Sequence, residues 1–90
     1  MLNIEYTTQF KKDLKRVKKR GCDFKSLEKI IKLILEESTL PAKNKNHTLT
    51  GNWSHHQECH IKPDWLLIYK VDKTSNAAIF VRTGSHADLF

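Results

Sequence analysis

The 90-residue chain has no long apolar run: the longest, Trp65-Leu66-Leu67-Ile68-Tyr69, is far below the about 20 residues that a membrane-spanning helix needs. Its start, Met1-Leu2-Asn3-Ile4-Glu5-Tyr6, lacks the basic-then-apolar layout of a signal peptide, so a cytoplasmic location is expected. Cysteine is scarce. Cys22 and Cys59 form no C-x-x-C pair, which speaks against a disulfide-stapled scaffold and predicts two free thiols. With 3 glycines and 2 prolines, the chain is not a low-complexity one. Acid is short as well: 10 Asp+Glu stand against 16 Lys+Arg, a formal charge of +6. That excess favours a polyanionic partner, either a nucleic acid or an acidic protein.

What remains is enough for one small domain over residues 1–90 and no more. At 39% hydrophobic and 29% charged residues, it is globular rather than disordered. Leu2–Tyr6 alternates apolar and polar, as a half-buried strand does. Thr7 or Thr8 then caps a helix carrying Phe10, Leu14 and Val17, with Gly21 suited to its C′ position. Asp23 starts a second helix with the stripe Phe24, Leu27, Ile30, Ile31 and Ile34, and Pro41 stops it. The helical hairpin spans roughly residues 8–38, and Ala42–Asn52 reads as a loop.

After Gly51 the period becomes two. Trp53–Lys62, Trp65–Val71 and Ala77–Thr83 are expected as strands, turning at Pro63-Asp64 and Asp72–Asn76, with Gly84 ending the last strand and Ser85–Phe90 left as a tail. The order β-α-α-β-β-β predicts an α+β domain, a small, mostly antiparallel sheet with a helical hairpin on one face.

Seven of the ten residues from Lys11 to Arg20 are basic. Four like-charged i,i+4 pairs cost about 1–2 kcal/mol together, relieved only by Asp13. The run is either a solvated face or a phosphate-contacting surface. All five histidines fall in the second half: His47, His55, His56, His60 and His86. Imidazole gives and takes protons near neutrality. Zinc is disfavoured, because His56 and His60 on a strand stand roughly 13 Å apart and Cys59 points to the other face. His55 reads as a surface residue, and His56 has at most an auxiliary role beside His60.

RNA cleavage without metal fits better. It needs a base for the 2′-hydroxyl, an acid for the departing 5′ oxygen and cations for the phosphate. His60, Asp64 and His86 are candidates for proton transfer. Arg82, the one arginine outside the first helix, is a candidate phosphate contact. Each has a plainer reading: Asp64 as a turn residue, Arg82 as a solvent-face residue. Trp65, next to Asp64, and the terminal Phe90 are either packing residues or platforms for a base.

Three blocks carry a resemblance. His47-Thr48-Leu49-Thr50-Gly51, Glu58-Cys59-His60-Ile61-Lys62-Pro63-Asp64-Trp65-Leu66-Leu67-Ile68-Tyr69 and Arg82-Thr83-Gly84-Ser85-His86-Ala87-Asp88-Leu89-Phe90 together resemble the YafQ branch of the RelE/ParE toxin superfamily over essentially the whole chain. The resemblance implies a RelE-like fold and the toxin of a bacterial type II toxin–antitoxin system. It implies an endoribonuclease that cuts mRNA, on or off the ribosome, until a cognate antitoxin covers it. Charge makes an acidic, wrapping antitoxin segment the expected partner. Carried over by residue, the acid–base set is His47, His60, Asp64 and His86, with Trp65, Arg82 and Phe90 as substrate contacts. Lys11 and Lys15 join them from the basic run. His60 or Asp64 is expected as base and His86 as acid, with His47 assisting and no metal or other cofactor. Two other functions compete: a non-catalytic ParE-like toxin that binds a protein such as DNA gyrase, which needs no histidine set, and a plain basic nucleic-acid-binding module, which explains Lys11–Arg20 but leaves His60, Asp64, Arg82 and His86 together unexplained.

Overall fold

The computed structural model describes residues 1–90. The first alternating segment forms strand β1 (Asn3–Tyr6), and the two apolar stripes form helices α1 (Thr8–Lys19) and α2 (Phe24–Leu35). Thr7 caps α1: its hydroxyl accepts from the Phe10 amide at 3.0 Å and donates to the Val81 carbonyl at 2.8 Å, so one side chain both starts the helix and ties it to the sheet. Asp23 caps α2 through the Lys25 amide. Between the helices Gly21 sits at φ 77°, a left-handed position that glycine takes without steric cost. Phe10, Val17, Leu27, Ile30 and Ile34 are the buried apolar positions of the two helices.

Four strands and a last helix follow: β2 (His47–Thr48), β3 (Gln57–Lys62), β4 (Trp65–Asp72), β5 (Ala77–Gly84) and α3 (His86–Leu89). The sheet runs β1-β5-β4-β3-β2, with β1 parallel to β5 and every other pair antiparallel. This is the expected α+β fold with three local differences. The strand expected from Trp53 begins only at Gln57, because Gly51–Trp53 forms a 3-10 turn and His55 takes φ 69°, which breaks an extended run. The segment expected as loop holds a second 3-10 turn, Ala42–Asn44, and the short β2. The tail Ser85–Phe90 is mostly α3, started by a reciprocal capping box between Ser85 and Asp88.

The helical hairpin packs on one sheet face, where Phe10, Val17, Leu27 and Ile34 meet Cys59, Ile61, Trp65, Leu67, Tyr69 and Phe80 in one core cluster. The Phe80 ring lies 5.9 Å from that of Phe10 and 6.2 Å from that of Tyr69, tilted to both rather than stacked. On the opposite face Leu66 and Ile68 are fully buried yet lie outside that cluster. Residues paired across a ladder share a face. His60 pairs with Leu66, and Glu58 and Arg82 both pair with Ile68, so these polar groups stand on the face away from the helices.

Candidate active site

The alternation of β3 sends Cys59 and Ile61 into the core and Glu58 and His60 to the other face. β2 sets His47 opposite Glu58. His47 Nε2 is 3.4 Å from Glu58 Oε1, and His60 Nε2 is 3.8 Å from the same oxygen. The other nitrogen of each ring faces a carbonyl: His47 Nδ1 lies 2.7 Å from Lys45 O and His60 Nδ1 3.3 Å from Pro63 O. A carbonyl only accepts, so both Nδ1 atoms carry protons and both Nε2 atoms turn toward Glu58. Glu58 is 6% exposed.

His86 opens α3, and its ring centroid is 5.8 Å from that of His60. Its Nδ1 lies 2.8 Å and its backbone amide 3.1 Å from Asp64 Oδ1. Asp64 sits in the turn between β3 and β4. The His86 side chain first, and its amide second, hold the Asp64 carboxyl below the usual carboxylate range. A carboxylate cannot donate, so Nδ1 bears the proton of that contact and Nε2 is the ring nitrogen left free of it. Both contacts fall on Oδ1 of Asp64, which ties its carboxylate to His86. Imidazoles from β2, β3 and α3 thus form one row, with Glu58 between the first two and Asp64 behind the third.

Arg82 reaches around the edge of β5 to α1: Nε donates to Asp13 Oδ2 at 2.7 Å and Nη2 to Asp13 Oδ1 at 3.3 Å. Asp13 is 1% exposed and also accepts from Arg16, Gln9 and the Thr83 amide. Of the Arg82 guanidinium, Nη1 alone has no partner in the chain. Lys11 and Lys15 are exposed on α1, and no contact ties them to the histidine row. Phe90 is 63% exposed at the end of α3.

Two expected positions do not come together with the site. Trp65 is 5% exposed, and its indole N–H donates to Thr83 Oγ1 at 2.9 Å within the core. The pleat of β4 turns it toward the helices, so it offers no platform for a base. His56 precedes β3, bonds to Ser54 O and meets Trp53 edge-on, so the face it was expected to share with His60 is not formed. Both cysteines are free, with burial pushing the Cys59 thiol up to about 12.

Three acids were not picked out as site-bearing from the sequence. Glu58, two residues before His60 on the same strand, had a signal in that spacing. Asp13 and Asp88 have local signals only for their near partners, Arg16 for Asp13 and the Ser-x-x-Asp capping box with Ser85 for Asp88; their ties to Arg82 and Arg20 lie about seventy residues away and have none.

Residues 2–90 match the family described as bacterial toxin of type II toxin–antitoxin system, YafQ. The chain is 42% identical over 89 residues to the mRNA interferase toxin YafQ of Escherichia coli K12, covering 98% of this chain and 95% of that one. Among solved structures, a metal-bound toxin from Helicobacter pylori superposes with a TM-score of 0.95 at 44% identity, over 100% of both chains. The toxin in the E. coli DinJ-YafQ complex superposes with a TM-score of 0.91 at 40% identity, over 100% of this chain and 99% of that one. The chain belongs to the YafQ family, the toxins of bacterial type II toxin–antitoxin systems.

Proposed function

We propose that the His47–Glu58–His60–His86–Asp64 row is the catalytic centre with which this YafQ-family toxin cleaves mRNA. The chain is an endoribonuclease of the mRNA interferase class. The reading rests on one observation above all: the ring of His86, with Nδ1 committed to Asp64, stands 5.8 Å from that of His60, which lies on the sheet face away from the helices. A pair so spaced can serve both sides of one phosphodiester.

His60 Nε2 takes the proton of the 2′-hydroxyl, and the 2′ oxygen attacks the adjacent phosphorus. The bond from phosphorus to the 5′ oxygen breaks, and His86 Nε2 delivers a proton to that oxygen. The products are a 2′,3′-cyclic phosphate and a free 5′-hydroxyl, and the two histidines have exchanged protonation states. Asp64 fixes the ring of His86, as a carboxylate does for a catalytic histidine. Arg82 Nη1, with Lys11 and Lys15 further along the strand, meets phosphate charge. His47 acts through Glu58 on His60, and Phe90 stacks on a base. No step needs a metal or other cofactor. The partners are mRNA, presented free or on the ribosome in the cytoplasm, and a cognate antitoxin with an acidic segment that covers the basic face, as DinJ partners the E. coli relative.

Primer extension on RNA exposed to the purified protein in excess chelator tests this. Cleavage is expected to continue with chelator, and His60→Ala or His86→Ala each to lower the rate about 10²–10⁴-fold. Loss of cutting on chelation, as a metal-dependent reaction would show, or full activity in the double variant, would overturn it.

A further inference from the structure

β2 pairs with β3 only at Gln57 and Glu58, so the outer edge of β3 from Cys59 onward carries no strand. The turn Ala42–Asn44 covers it instead, and Asn44 Nδ2 donates to the His60 carbonyl at 2.7 Å. A hollow of about 360 Å³ remains beside this turn, walled by His60, Asn44, Pro63 and three lysines, Lys43, Lys45 and Lys62. That is the size of a small-molecule pocket, about 300–1,000 Å³. The larger hollow, about 520 Å³ beneath Tyr69, has no histidine in its wall.

Lys43, Lys45 and Lys62 are exposed, and none is in an ion pair with a carboxylate. Three ammonium groups outside any direct ion pair, of which Lys62 alone acts at longer range on a carboxylate, that of Asp23, stand around one concavity and attract an anion. Asn44 is 3% exposed, and with Nδ2 spent on His60 its Oδ1 has no donor. A buried acceptor without a partner is uncommon and calls for an N–H to complete it. His60 is shared between this hollow and the histidine row, so an RNA strand whose scissile linkage lies between His60 and His86 and which continues past β3 runs into the hollow.

We propose, resting on the reading of His60 and His86 as the cleavage pair, that this hollow is the subsite for the nucleotide flanking the scissile linkage. The lysines take its phosphate. Asn44 Oδ1 accepts from the exocyclic amine of its base, which adenine, cytosine and guanine carry and uracil lacks.

Two measurements test the halves separately. Short RNA is titrated into the His86→Ala protein at several salt concentrations. Replacing Lys43, Lys45 and Lys62 by Gln is expected to weaken binding about tenfold and to flatten the dependence of log K on log salt by about 0.7 per lost phosphate contact. The control replaces Lys29 and Lys32, exposed on α2, and should leave the slope unchanged; equal effects from both sets overturn the phosphate half. In the unaltered protein, each adenine, cytosine or guanine of a cleavable oligonucleotide is replaced in turn by the analogue lacking its amine. A fall of about tenfold in kcat/KM at one position beside the cut, lost in Asn44→Ala, is expected. No position-dependent fall, or one that persists in Asn44→Ala, overturns the base half. Undiminished cutting by a His60→Ala, His86→Ala double variant would remove the catalytic reading itself, while the binding titration still reports on the hollow.

Discussion

Asp13 shows what one side chain decides here. It is a carboxylate at 1% exposure that accepts from Arg16, Arg82, Gln9 and the Thr83 amide. Each lone-pair direction is used, which is what allows a charge to be buried. Removing the carboxylate strands the Arg82 guanidinium at the sheet edge. Asp13→Ala is therefore expected to cost about 3–5 kcal/mol of stability in urea unfolding, and to reduce cleavage beyond the fraction unfolded, since Arg82 loses its anchor. Asp64 gives a sharper kinetic readout. Asp64→Asn keeps the size of the side chain but offers either an oxygen or an amide to His86 Nδ1, so the tautomer is no longer dictated. The expected outcome is a fall of about 10²-fold or more in kcat with little change in KM, read from initial rates on a short RNA.

At the scale of elements, α3 is the piece to watch. It has four residues, His86–Leu89, too short to persist alone, yet it carries His86 and presents Phe90. Asp88 holds it twice. It closes the capping box with Ser85, and it takes both Nη atoms of Arg20 at the end of α1, with Arg16 Nε at 3.9 Å. The Arg20 bond first, and the Ser85 amide second, hold the Asp88 carboxyl well below the usual carboxylate range. Its folded-state pKa lies below its unfolded value, so its contribution is present above the ordinary aspartate range and disappears as pH falls through the folded pKa. In thermal melts Asp88→Asn is expected to lie below the unaltered protein near pH 6, with the gap closing as pH approaches about 2. Gly84 belongs to the same joint. At φ 153° a Cβ there would stand 2.8 Å from Asp88 Oδ2. Gly84→Ala is expected to destabilise by about 1–3 kcal/mol and to lower kcat more than it raises KM, because it displaces the turn that carries His86.

At the scale of the whole molecule, charge and shape work together. The +6 charge is concentrated on α1, where Lys11, Lys12, Lys15, Lys18 and Lys19 are exposed. The arginines among them are tied down by Asp13 and Asp88, so the lysines are the freely available cations of that face. RNA binding is accordingly expected to weaken steeply with salt, by about 0.7 in log K per unit of log salt for each phosphate held. Titration from low to physiological salt measures this; a flat response would remove the polyanion reading of α1.

Much of the fold was legible because local periodicity and burial agree. The stripe Leu27, Ile30, Ile34 and the alternation of Cys59 and Ile61 are one-dimensional signals of a one-sided core. Where a single backbone angle interrupts the pattern, as at His55, the strand started later than alternation suggested. α3 is only half legible: the Ser85-x-x-Asp88 capping box is local, but four residues are too few to hold on it alone, and the second hold comes from Arg20, distant in the chain. Of the candidate site, His60, His86 and Asp64 were legible as types suited to proton transfer. Trp65 was not, since an indole at a strand start reads equally as core or platform, and only the face of β4 separates the two.

The residue inventory by itself determined an α+β domain with a helical hairpin, an excess of cations on the first helix and imidazoles confined to the second half. Those follow from spacing and composition, which need no knowledge of what lies beside what. Tertiary structure alone decided that β2 sets His47 against Glu58, that His86 meets both Asp64 and His60, and that Asp13 and Asp88 hold the arginines. Such contacts depend on the register of strands and the docking of helices, and no local pattern in the chain encodes a pairing between residues about seventy positions apart.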